Sequence, residues 1–190
     1  LGEPLIHPEF PRIWAAAIRA ATQHGTFEKI EVHTNATHLT PRVTASLLNE
    51  ARVPTVIHFS LDATDRARYL AVKAKDRFEE VVQNIEHFLK EKARLGAPGP
   101  RPVFQFIVGQ NNVDQVADFR AMWEAACGRV GLDVSVAAGH VPRGEEAVIF
   151  FRQLDCPSPE LQATENAIFR EAMAAQGLEL PTQAASGEVV

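Results

Sequence analysis

Strand signals alternate with helix signals along most of this chain, and that alternation constrains the fold more than any other feature. A strict apolar/polar alternation runs over Glu28 to Thr34, with Ile30 and Val32 set against Glu31 and His33. Thr40 then suits an N-cap with Pro41 at the first helical position, and Val43, Leu47, Leu48 and Ala51 follow at helical spacing. Pro54 ends that helix and Thr55 to Leu61 reads as the next strand. Asp76 is placed to cap a longer helix with the stripe Phe78, Val81, Val82, Ile85 and Leu89, supported by a Glu86–Lys90 pair and closed by Gly96 and Pro98. Pro102 to Val108 reads as a strand, Val113 to Ala126 as a helix, Leu132 to Ala138 as a strand. Ser158 opens a last helix reaching about Gln176. An earlier helix spans Phe10 to His24.

Strands separated by helices form a parallel sheet with right-handed crossovers. Ligands of such folds sit at the C-terminal strand ends. The loops expected there are Gly2–Pro8, Asn35–Thr40, Asp62–Arg68, Gly109–Asn112 and Gly139–Glu145, with Gly96–Pro100 a connector at the opposite end. Side chains alternate between faces along a strand. One face therefore presents Glu31, His33 and Asn35, then Val56, His58, Ser60 and Asp62, then Val103, Gln105, Ile107 and Gly109. The other presents Ile30 and Val32, then Ile57, Phe59 and Leu61, then Phe104, Phe106 and Val108. An open doubly wound sheet wants apolar residues on both faces. One apolar and one polar face instead suit a barrel or part-barrel, α/β in class, with helices outside and a polar lumen.

Composition narrows the function. The chain has 190 residues and a formal net charge of -5, which argues against a general nucleic-acid binder. No apolar run approaches the roughly 20 residues of a membrane span. Two cysteines, Cys127 and Cys156, are too few for a disulfide framework and fit a reducing cytosol.

Three ordered segments carry a family resemblance: Gly2-Glu3-Pro4-Leu5-Ile6-His7-Pro8, then His33-Thr34-Asn35-Ala36-Thr37-His38-Leu39-Thr40-Pro41, then His58-Phe59-Ser60-Leu61-Asp62-Ala63. With Arg68-Tyr69 to Phe78, Val81-Val82-Gln83-Asn84-Ile85 and Phe104-Gln105-Phe106-Ile107-Val108, they resemble the radical S-adenosylmethionine (radical SAM) superfamily over about Leu1 to Ala138. The resemblance implies a partial (βα)6 barrel of which the first four strands here are the third to sixth, the chain starting at the end of the second. It implies that Gly2, Glu3 and Pro4 hold the methionyl amine of S-adenosylmethionine, and that Ser60 touches the cofactor carboxylate or ribose. Asn35 matches the Asn of a Thr-Asn-Gly motif, with Ala36 in place of the Gly. Lys73 or Lys75 stands where an Arg pairs with the cofactor carboxylate, and the choice between them stays open. Gln105, Ile107 and Gly109 match the strand that accommodates the adenine.

The family also implies a [4Fe–4S] cluster held by a Cys-x-x-x-Cys-x-x-Cys loop, and this chain has no such loop. No metal-ligating residue of that cluster is assigned here. Cys127 reads as buried packing. Cys156 is either a remnant ligand of a C-terminal auxiliary-cluster (SPASM-type) extension or a loop thiol. The chain is therefore expected to be a fragment of a cytosolic, bacterial-type radical SAM enzyme, with residues 1–155 a partial core barrel, 156–180 a helix beyond it and 181–190 a flexible tail. The parent would generate a 5′-deoxyadenosyl radical for substrate modification, on a peptide if the SPASM likeness holds, with no nucleic-acid or membrane partner. The fragment alone is expected to be inactive and, having lost strands, poorly stable. Two other readings stand beside it. One is a metal-dependent barrel hydrolase using His7, His33, His58 and Asp62. The other is a non-catalytic binding module without a cluster.

Overall fold

The computed structural model describes residues 2–25, 27–48 and 53–180. Among them the elements run α1 (Phe10–His24), β1 (Ile30–Thr34), α2 (Pro41–Leu47), β2 (Thr55–Ser60), α3 (Arg66–Lys73), α4 (Phe78–Leu95), β3 (Arg101–Val108), α5 (Val116–Arg129), β4 (Val134–Ala138), β5 (Ala147–Gln153) and α6 (Pro159–Ala175). The strands form one parallel sheet in the order β1-β2-β3-β5-β4. This is the expected α/β architecture, a parallel five-stranded sheet with outer helices, consistent with a partial barrel.

Strand parity sorts the two faces as the sequence implies. Val32, Ile57, Phe59, Phe104, Phe106, Ile149 and Phe151 join the buried stripes of the helices in one core. Phe104 stacks on Trp123 of α5 with ring centroids 4.4 Å apart, and Phe59 meets Phe88 of α4 edge-on. Each large apolar side chain so buried contributes roughly 1.5–3 kcal/mol. The opposite face carries only a small apolar group, Val56, Val103, Val148 and Phe150, among polar residues.

Several local expectations change. β5 was not anticipated, and it lies between β3 and β4, so the Leu132–Ala138 strand is an edge strand and does not pair with β3. The step from β4 to β5 runs back across the sheet, opposite to the earlier steps. A right-handed crossover in that direction must pass over the polar face, where the described residues place no helix to carry it. The connector does so: Val141 packs against the small apolar group on that face. The Gly139–Glu145 loop is thus no simple loop at the C-terminal edge. It leaves that edge, where Gly139 N–H donates to Phe151 C=O (3.1 Å), and descends to Pro142, whose carbonyl accepts from Arg101 at the start of β3 (2.6 Å).

The Asp62–Arg68 loop is shortened by α3, which Asp65 caps by accepting from Arg68 N–H (2.8 Å). Asp76 does not cap α4. Its carboxylate takes the Arg66 guanidinium (Nε to Oδ1 2.6 Å), and Arg77 stands at the N-cap without a side-chain bond. Glu86 pairs with Arg129 of α5 (2.5 Å), a partner from another element, in place of Lys90. Thr40 and Ser158 cap α2 and α6 as expected. Ala51 lies outside the described residues. No described helix is long and apolar enough to cross a membrane.

Candidate cofactor face

Strand register arranges the polar face in tiers. Thr34 pairs with Phe59, so Asn35 stands one residue on, level with Ser60; Ser60 pairs with Gln105 and Gln105 with Phe150. Asn35, Ser60 and Gln105 thus form a row across three strands near their C-terminal ends. Two residues lower, His33 pairs with His58 and His58 with Val103. Two lower again, Glu31 pairs with Val56 and Val56 with Arg101. The tiers are about 6.6 Å apart at the usual rise per residue.

Glu3 joins the opening turn to the end of β1. Its Oε1 accepts from Leu5 N–H (3.0 Å) and from the Thr34 hydroxyl (2.8 Å), and its Oε2 accepts from Asn35 N–H (2.7 Å). A carboxylate has about four acceptor sites, so one remains after these three bonds. Gly2 and Pro4 flank it, Pro4 opening a short 3-10 turn that the Glu3 side chain caps. The Asn35 side chain accepts from Thr37 N–H (3.0 Å) and the Thr37 hydroxyl (2.6 Å). Ala36 takes a left-handed conformation, φ 59°, the one a Gly at that position would favour. Asn84 of α4 holds that turn by donating to the Ala36 carbonyl (3.0 Å).

Asp62, just beyond β2, is buried and also left-handed (φ 58°). Its Oδ2 accepts from Lys73 Nζ (2.5 Å) and its Oδ1 from Ile107 N–H (2.7 Å). Asn112 donates to the Asp62 and Ile107 carbonyls (3.2 and 3.0 Å) and accepts from Gly109 N–H (2.9 Å). Lys73 is therefore the lysine the fold draws inward, tied to Asp62; Lys75 is exposed. A cleft of about 530 Å³ opens here, lined by Asp62, Arg68, Ile107, Gly109, Leu154 and Glu165 among others. Leu154 and Glu165 close on Gly109: a Cβ there would lie 3.1 Å from Leu154 Cδ2. Neither residue carried a sequence signal, since both lie beyond the strand that the sequence did not disclose.

The middle and lower tiers gather His33, His58 and Glu31. The imidazoles stack with centroids 4.0 Å apart and planes 12° from parallel. His58 Nε2 is 3.5 Å from Glu31 Oε1, and Lys29 Nζ is 2.8 Å from the same oxygen. Burial, then the neighbouring His33, push the His58 pKa down to about 4. Burial pushes the Glu31 carboxyl up, but the Lys29 ammonium and the His58 imidazole together outweigh it, and the net shift is downward. His7 and Asp62, grouped with these histidines in the hydrolase reading, are engaged elsewhere: His7 Nδ1 accepts from Glu9 N–H (3.1 Å), and Asp62 serves Lys73 and Ile107.

The sequence profile of the Radical SAM superfamily matches residues 1–112. The chain belongs to the radical SAM superfamily. A stretch of 88 residues is 32% identical to the GTP 3',8-cyclase of Chlorobaculum tepidum, covering 46% of this chain and 24% of that protein. This radical SAM chain thus aligns with about a quarter of that relative's length. As a class, members of that superfamily carry out S-adenosylmethionine-dependent radical chemistry.

The two groups that the superfamily implies fit this radical SAM chain unequally. S-adenosylmethionine fits: its ammonium matches the free acceptor site of Glu3, and Ser60 and Gln105 make no side-chain hydrogen bond among the described residues. The cluster does not fit the cysteines of this chain. Cys127 is fully buried on α5, where burial raises its thiol pKa to about 11 and disfavours the thiolate a metal needs, and Cys156 lies half-buried after β5.

Proposed function

We propose that this chain supplies the S-adenosylmethionine-holding face of a radical SAM enzyme. The observation that carries the reading is the level row Asn35, Ser60 and Gln105 on the helix-free face, beside the Glu3 carboxylate. Bound there, the cofactor supplies the 5′-deoxyadenosyl group that carries the radical to a substrate. Gly2, Glu3 and Pro4 present a carboxylate to the methionyl ammonium. Asn35 and Ser60 offer polar groups to the carboxylate and ribose, with the Lys73 ammonium, held by Asp62, as a further donor to the carboxylate. Gln105, Ile107 and Gly109 receive the adenine, the last two lining the cleft of about 530 Å³. In this reading residues 1–155 form the core and 156–180 a helix that Phe169 and Met173 fix to it; residues 181–190 lie outside the described residues. The enzyme works in the reducing cytosol, and a peptide, the substrate class that the SPASM-type resemblance implies, enters across the polar face.

The test is S-adenosylmethionine affinity by isothermal titration of the chain and of Ser60→Ala and Gln105→Leu variants. Both side chains are free of structural bonds, so each variant should keep its fold and bind roughly tenfold more weakly, the loss of one net hydrogen bond. Unchanged affinity in both variants would contradict the reading.

A further inference from the structure

His58 is 5% exposed, yet neither ring nitrogen has a hydrogen-bond partner. A buried polar group left unpaired costs about 1–3 kcal/mol, and most such groups in folded proteins are paired. The imidazole sits at the centre of the polar face, with His33 stacked on one side and the Glu31 carboxylate 3.5 Å from its Nε2. One ligand atom from each of Glu31, His33 and His58 lies within 4.8 Å of the others. Two imidazoles and a carboxylate are nitrogen and oxygen donors suited to borderline divalent ions.

We propose that Glu31, His33 and His58 form a binding site for a divalent first-row transition ion of the zinc class, in the two tiers beneath the cofactor row. Around a tetrahedral ion with bonds near 2.1 Å the donors stand about 3.4 Å apart. The Glu31–His58 edge already has that length, and the longest edge closes by rotation of the exposed His33 and the one-third-exposed Glu31 side chain. Lys29 holds Glu31 in the absence of an ion; its side chain is 54% exposed and is free to swing into water as the cation takes its place. The neutral imidazole is the ligating form, and burial keeps His58 neutral at neutral pH. The ligands come from two neighbouring strands in register, so the backbone ladder fixes their spacing before the ion arrives. The descending β4–β5 connector, packed through Val141 against Val56 and Val103, shields the adjoining part of the face. Three protein ligands leave a fourth position open, the pattern of sites that engage a substrate or water.

The experiment titrates zinc into the full chain, freed of metal, by calorimetry, and follows cobalt(II) absorption in parallel. One ion per chain should bind, with visible bands of a tetrahedral cobalt centre. Glu31→Gln and His33→Gln, both partly exposed and so compatible with the fold, should each weaken binding at least tenfold. His24→Gln, at the exposed end of α1, should leave it unchanged. Substoichiometric binding, or affinity that survives both Glu31→Gln and His33→Gln, overturns the proposal. The titration contains no S-adenosylmethionine, so its outcome is independent of the cofactor reading.

Discussion

The C-terminal edge of the sheet and the tiers below it on the same face use similar residues and treat their polar atoms in opposite ways. At the edge, Glu3 makes three bonds to the turn and to β1, Asp62 bonds Lys73 and Ile107, and Asn112 bonds three backbone groups. Below, His58 is as buried as Asp62 and has no hydrogen-bond partner. Asp62 and Asn112 are scaffold that shapes the loops at the strand ends, and Glu3 keeps one acceptor site beyond its three bonds. The unsatisfied His58 is a position where the fold bears a cost that packing alone does not explain. A polar residue's place on a face therefore says less about its role than whether the chain itself has used its donors and acceptors.

The largest expected effect lies on neither region but on the apolar face that supports both. Phe104→Ala removes the ring stacked on Trp123 and should cost about 3–5 kcal/mol, read from urea denaturation. If the polar face held the chain together instead, the loss would be under about 1 kcal/mol.

The next sharpens the contrast between Asp62 and His58. The folded His58 pKa of about 4 lies below the ordinary 6.5. As pH falls through 6.5 the unfolded chain takes up the proton first, and stability drops until the folded protein takes it up near pH 4. The decline should reach roughly 3 kcal/mol in metal-free protein. His58→Leu should remove its contribution to the slope between pH 6.5 and 4.5, measured by denaturation at a series of pH values. A slope unchanged by that substitution would mean that His58 is not the group the fold strains.

Much of this was legible in the sequence. Parity placed Phe59 and Phe106 under the helices and Ser60 and Gln105 on the open face, because period-two alternation is a local property. The fifth strand was not legible. Ala147 to Phe151 is a continuous apolar run without alternation, and it follows a Pro- and Gly-containing segment that reads as a strand-end loop before the helix from Ser158. Without it the reversal of direction across the sheet, and the connector over the polar face, had no signal. α3 is short, but Asp65 three residues before Arg68, with Tyr69 as its buried contact, was a usable signal. The grouping of His33 and His58 with Glu31, and not with His7 and Asp62, needed the register: which residues stand level across two strands is set by pairing, not by spacing along one chain.

The smallest effect concerns the edge scaffold. Ala74 ends α3 in a left-handed conformation, φ 54°, and is exposed. A Gly there avoids the Cβ clash without losing buried surface, so Ala74→Gly should stabilise by about 1 kcal/mol. A thermal midpoint that falls instead would show that the turn leading from Lys73 is held by contacts other than its backbone.

The account's central claim is that the row Asn35, Ser60 and Gln105 is the cofactor-holding surface. Its most direct test maps backbone amide chemical shifts of isotopically labelled protein on addition of S-adenosylmethionine. The account predicts saturable shifts at Asn35, Ser60, Gln105 and Gly109, with Phe88 and Trp123 on the helix-covered side unmoved. Shifts confined to the helix side, or none along that row at saturating cofactor, would contradict it.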